Sequence, residues 1–141
     1  MTINQISVFL ENKFGRLNEV LSFLSEAKIR VVAATVADTS DYGILRLITT
    51  DQQKAFQILK SHNVSANVNE VIAISIDSCI SKFSETVELF TKAGISIEYM
   101  YCFSIDKKAI LVLRTNNLNA AYDVIRKNNL NFVLESQLIN L

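Results

Sequence analysis

The residues of richest chemistry that stand close together are Leu10-Glu11-Asn12-Lys13-Phe14-Gly15-Arg16-Leu17. A glycine closing a tight turn that opens a helix lets the backbone come close to a ligand. The helix start then offers N–H groups and a positive dipole end to a carboxylate. Asn12 can donate and accept at once, which suits a zwitterion with both carboxylate and ammonium. The same residues also have a plainer reading, in which Gly15 only makes the turn and Asn12 only caps the helix. On the residues alone both readings stand.

Other chemistries find little to work with. His62 is the only histidine and falls at the expected end of a helix, where capping carbonyls is its simplest role. With one such histidine no Ser/His/Asp or Cys/His set can be assembled. Glu85 and Glu88 are paired acids at helical spacing, and their simplest place is a solvent-facing side. Cys79 and Cys102 are too few and too far apart for a disulfide framework or a zinc knuckle, and read as small apolar core residues. A metal chaperone needs C-x-x-C in its first loop, which here reads Glu11-Asn12-Lys13-Phe14-Gly15. Tyr99, Tyr101 and Phe103 alternate along one strand, but Glu98 and a net charge of zero argue against RNA and DNA alike. The aromatic run reads as core or interface. No enzyme activity, cofactor or metal is expected. No apolar run approaches the roughly 18 residues of a membrane span, and Met1–Gln5 lacks the character of a signal peptide, so a cytoplasmic protein without membrane attachment is expected.

The elements that position the loop emerge from a repeat. A shift of 66 positions, which lays Ile6 on Ile72, registers the hydrophobic pattern without a gap from Ile6 to about Val64. Ile6-Val8-Leu10 falls on Ile72-Ile74-Ile76, and Ile44-Leu45-Arg46-Leu47 on Ile110-Leu111-Val112-Leu113. Two halves follow, 1–69 and 70–141, with no Pro/Gly/Ser linker between them, so that they should abut. Each half alternates at Ile6–Leu10, then turns to helical spacing over Leu17, Val20, Leu21, Leu24 and Ala27. A Val/Thr-rich strand over 29–37, a turn at Thr39–Gly43 and a strand over 44–49 come next. Asp51 is placed to cap a second helix reaching His62, and a short strand near Val64–Val68 closes the half. The order βαββαβ, twice, predicts an α+β protein of two ferredoxin-like units in tandem. Their antiparallel sheets carry helices on one face, and the units are expected to join side by side.

Strand, Glu11-Asn12-Lys13-x-Gly15-x-Leu17, then an amphipathic helix resembles the fingerprint of the ACT domain. Ala27-Lys28-Ile29-Arg30-Val31 and Asp41-Tyr42-Gly43-Ile44 look like it as well, and the whole chain resembles small stand-alone bacterial proteins with two ACT domains. The resemblance implies a non-catalytic regulatory protein whose ligand, most often an amino acid, lies where two ACT units meet side by side. Residues 10–17 and Arg30 are then the candidate ligand contacts. Phe14 departs from the family's usual Pro, leaving the turn less rigid. Arg30 stands where amino-acid-binding members often have Asn, and its guanidinium could clamp a carboxylate or point to solvent. In the second half Ser81 replaces the glycine and Ser78 the asparagine, so that loop reads as a structural copy. The alternatives are an interaction module that has lost its ligand and an unrecognised enzyme.

A homodimer is also expected. If Ile29-Val31-Ala33 and Leu45-Leu47 face the helices, then Val32, Ala34, Val36, Ile44 and Ile48 lie on the other side of the sheet. Met100, Cys102, Ile110 and Val112 would do the same opposite Tyr99, Tyr101, Leu111 and Leu113. Such an apolar face invites burial by a second copy.

Overall fold

A computed structural model describes residues 2–11, 13–38 and 41–140. The elements run β1 (Ile3–Glu11), α1 (Arg16–Glu26), β2 (Val31–Asp38), β3 (Tyr42–Thr49), α2 (Gln52–Ser61), β4 (Ala66–Asp77), α3 (Ile80–Lys92), β5 (Ile97–Ile105), β6 (Lys108–Thr115), α4 (Leu118–Lys127), β7 (Asn131–Phe132) and α5 (Glu135–Ile139). Two compact units result. One holds Asn4–Glu70 with the chain end from Ser136; the other holds Val71–Glu135 with the N-terminus up to Ile3. Each is an antiparallel sheet with helices on one side, in the ferredoxin-like order. The strands stand β2-β3-β1-β4 in the first unit and β5-β6-β4-β7 in the second. The strands expected at Val64–Val68 and from Val71 are one continuous strand, β4. The closing strand of the second half shrinks to two residues and is followed by a helix, α5, which the repeat did not announce.

The two cores repeat one another residue by residue. Ile6, Val8 and Leu10 of β1 pack with Leu24 of α1, Leu45 and Leu47 of β3 and Leu59 of α2. Ile72, Ile74 and Ile76 pack with Phe90, Leu111, Leu113 and Ile125 at the equivalent positions. The second helix of each half is anchored by a side-chain cap. The Asp51 carboxylate accepts from the Lys54 N–H at 3.0 Å, and the Asn117 side chain from the Ala120 N–H at 3.1 Å.

The edge strands differ from the sequence expectation in phase. β2 pairs Val31 with Thr49 and then Ala33 with Ile48, leaving Val32 as an extra residue. That bulge turns the rest of the strand over. Ala34 and Val36 stand opposite Leu47 and Leu45 on the helix side, while Ala33 joins Ile48 on the other face. β5 repeats the device at Glu98. Met100 and Cys102 align with Leu113 and Leu111 on the helix side, and Tyr99, Tyr101 and Phe103 with Arg114, Val112 and Ile110 on the other. Ile48, Ile110 and Val112 do lie away from the helices as expected, yet they are buried within the single chain. The apolar face that argued for a second copy therefore loses its central residues. Both cysteines are exposed and free rather than in the core. Cys79 stands in the turn before α3, and Cys102 on an edge strand.

Candidate ligand-binding site

β1 ends at Glu11, and Asn12 lies outside the described residues. The chain then folds back tightly: the Lys13 N–H donates to the Glu11 carbonyl at 2.7 Å, and the Arg16 N–H to the Lys13 carbonyl at 3.1 Å. Gly15 sits at φ 80°, in the left-handed region, as the N-cap of α1, and its carbonyl accepts the first helical hydrogen bond, from the Glu19 N–H. No atom lies within 4 Å of where a Cβ would stand, so the glycine answers to the backbone conformation and not to crowding. Among the described residues no side chain caps the helix, which leaves its start dependent on backbone and solvent for partners.

The flanking side chains divide by chemistry. Arg16 is largely buried and forms an ion pair with Glu19 in the first turn of α1. Glu11 and Lys13 are exposed, and Phe14 is fully exposed. Leu10 points into the core, opposite Gly43. Leu17 and Leu21, expected on the buried stripe of α1, are more than a third exposed; Val20 and Leu24 are buried, with Phe23 packed against the same core. β1 and β3 each bring an aromatic residue to this end of the sheet. Phe9 and Tyr42 stack with ring centres 4.8 Å apart, and Tyr42 is the cross-strand partner of Glu11. The sequence showed Tyr42 only as part of a turn; the signal that could have found it is its place at the start of an alternating strand.

Arg30 is not brought to this loop within its unit. β1 and β2 both run antiparallel to β3, so the loop after β1 lies at the end of the sheet where β3 starts, beside Tyr42. Arg30 is exposed at the opposite end, where its backbone exchanges hydrogen bonds with Thr50 at 3.0 and 3.1 Å. The length of β3 separates them, about 23 Å at ~3.3 Å per residue.

The equivalent loop of the second half has a different shape. α3 begins at Ile80, two residues earlier than the repeat of Arg16 would place it, so Ser81 lies inside the helix. Without a glycine to break it, the helix extends back through the turn. Cys79 becomes the N-cap residue in extended conformation. Its thiol is held below the ordinary value by the Ser81 hydroxyl, 3.4 Å away, and then by the Lys82 N–H. His62 terminates α2 through its backbone, whose N–H bonds Ile58 and Leu59, while its ring stacks on Phe23 at 3.9 Å instead of capping a carbonyl.

The sequence matches the ACT domain pair family over residues 1–141. Protein BT0572 from Bacteroides thetaiotaomicron shares 33% identity over 100% of this chain and 98% of its own, with a TM-score of 0.93. The ligand-free regulatory subunit of aspartate kinase from Thermus thermophilus superposes with a TM-score of 0.63 at 14% identity, over 88% of this chain and 91% of its own. The regulatory subunit of aspartate kinase from Thermus flavus gives 0.60 at 16% identity, over 88% and 90%. These last two show a shared fold. No protein of curated function matches the sequence. Among the described residues no helix is long and apolar enough to cross a membrane.

Proposed function

This chain belongs to the ACT domain pair family, and from that premise we propose that it is a non-catalytic regulatory protein that binds an amino acid at the loop between β1 and α1. The observation that carries the reading is Gly15. Its left-handed backbone sets a helix start, which no side chain among the described residues caps, behind an open space, the arrangement that receives a carboxylate with backbone N–H groups. The extension of α3 through Ser81 removes that arrangement from the second half, so each chain offers one such loop. Support for the ligand class comes from the family and from the aspartate kinase regulatory subunits that share the fold.

The test is a thermal-shift screen of the twenty amino acids followed by calorimetric titration. A ligand at about 100 times its dissociation constant adds near 2.7 kcal/mol to a folded state that alone binds it. Gly15→Val should abolish binding of the hit in a protein that still folds; unchanged affinity would move the site elsewhere.

A second reading, an interaction module, is favoured by exposed apolar side chains repeated in the two halves. Phe14, Leu17 and Leu21 recur as Ile80, Phe83 and Val87, at helical spacing and all exposed or half-buried. Absence of any amino-acid hit would favour it. A homodimer is part of both readings.

A further inference from the structure

A cleft of about 380 Å³ opens between the last turn of α1 and the side of α2. α1 has 11 residues, so its far end stands about 16 Å from Gly15 at 1.5 Å per residue. Phe23 and Ile58 supply an apolar wall and Lys28, Lys54 and His62 a polar one, with Glu26 beside them.

Lys28 breaks the pattern of the other helix ends. The residue after the C-cap is left-handed in α1, α2, α3 and α4 alike; it is Asn63 after α2, Gly94 after α3 and Asn129 after α4. Glycine and asparagine take that conformation most readily. After α1 it is Lys28, at φ 58°, although the repeat carries Gly94 at the same place. The backbone gains nothing from a lysine there, so the reason for it lies in the side chain that lines the cleft. Lys54 stands where the repeat has Ala120, and its Nζ donates to the Ala27 carbonyl at 3.2 Å, which holds the ammonium beside the same cleft. Among the described residues neither Lys28 nor Lys54 forms an ion pair, whereas Lys82, Lys92 and Lys108 each do. The aromatic pair completes the lining. Phe23 packs against the core, and the His62 imidazole lies on it, 3.9 Å away and 5° from parallel. Phe23 covers one face of this exposed ring and leaves the other to the cleft.

We infer that this cleft binds a nucleoside monophosphate, its flat base laid on the free face of His62 and its phosphate held by Lys28 and Lys54. A phosphate monoester carries about −1.5 to −2 charges and three acceptor oxygens at neutral pH. Two unpaired ammonium groups match that charge, and an ammonium has three donors, so Lys54 keeps donors to spare beyond the Ala27 carbonyl. A singly charged carboxylate would leave one lysine without a counter-charge. Glu26 repels a bare anion but accepts from a ribose hydroxyl, as acidic residues do in dinucleotide sites, so a nucleotide suits the lining better than inorganic phosphate. The volume is at the small end of ligand pockets, about 300–1,000 Å³, which suits one nucleotide and not two. Stacking on a ring is tolerant of base identity, so either a purine or a pyrimidine meets the same contacts.

The test is calorimetric titration of the full chain with AMP, with adenosine, which lacks the phosphate, and with ribose 5-phosphate, which lacks the base. AMP should bind at least tenfold tighter than either. Lys28→Gly and His62→Asn install the residues that the repeat carries at these places, so both variants should fold. Lys28→Gly should melt close to the parent, because glycine suits the left-handed backbone, yet weaken AMP at least tenfold. His62→Asn should weaken AMP at least tenfold and leave ribose 5-phosphate unchanged. Absence of AMP binding, ribose 5-phosphate binding as tightly as AMP, or unaltered AMP affinity in either variant would each overturn the assignment. The cleft does not rest on the loop at Gly15. Folded Gly15→Val should keep AMP binding and Lys28→Gly should keep amino-acid binding; loss of AMP binding in Gly15→Val would move the nucleotide to the loop and sink the cleft.

Discussion

At the scale of single residues, Gly15 and Cys79 show how one loop became two. Both precede a helix at the end of a core strand, yet one is left-handed and the other extended. A Cβ at Gly15 meets no atom, so the cost of replacing it lies in the backbone, on the order of 1–2 kcal/mol for most L-residues at positive φ and less for Asn. Gly15→Asn should therefore melt close to the parent and keep part of its affinity, whereas Gly15→Val should lose stability as well as binding. Chemical denaturation and titration of the two variants separate the contributions; equal losses in both would mean the side chain, and not the turn, is resented. Cys79 makes a pH prediction. The Ser81 hydroxyl and then the Lys82 N–H stabilise its thiolate, so the lowered pKa brings the reactive form in at lower pH. Iodoacetamide labelling of Cys79 should rise at a pH below that of a free cysteine, and Ser81→Ala should move the midpoint upward. An unmoved midpoint would remove the hydroxyl from the explanation.

At the scale of elements, the paired second helices give the clearest prediction. Asp51 and Asn117 occupy equivalent places in the repeat and each accepts from the backbone N–H three residues on. Asp51→Ala and Asn117→Ala should each cost about 1 kcal/mol, read from urea midpoints. A cost near zero in either would mean water replaces the carboxylate or amide without loss. The Asp51 cap was legible in the sequence because it depends only on residue type and local spacing. The order βαββαβ and its repeat were legible for the same reason, since the periods 2 and 3.6 are written in consecutive residues. The faces of β2 and β5 were not. A bulge at Val32 and another at Glu98 add one residue each, and a single extra residue reverses every side chain after it. Nothing in Val31-Val32-Ala33 marks the bulge, because small and branched apolar residues suit either face. Of the candidate site, the glycine turn was legible from one residue. The separation of Arg30 from that turn was not, since it follows from β1 and β2 both running antiparallel to β3.

At the scale of the whole molecule, the expected homodimer needs a different surface from the one first named. Val112 and Ile48 were to be its contacts, but both are buried within one chain. Val112→Lys then places an ammonium where no water reaches, at a cost on the order of several kcal/mol, a large part of the 5–15 kcal/mol that holds a domain together. The variant should unfold cooperatively at lower urea rather than dissociate. Among the exposed apolar side chains is a repeated set that runs from the turn at Phe14 onto the first helix in one half and along the first helix in the other, with Phe14 and Ile80 its most open members. Side chains of that size in water, three in a row at helical spacing, are the surface on which a second copy gains most. Phe14→Ser together with Ile80→Ser should lower association at micromolar concentration, read by light scattering, while leaving the melting curve of the dilute protein unchanged. A parent chain that scatters as a 15.8 kDa monomer at every concentration would end the case for a dimer. A double variant that associates as strongly as the parent would instead shift the interface to other residues, with the Phe9–Tyr42 stack at the end of the first sheet the next to be substituted.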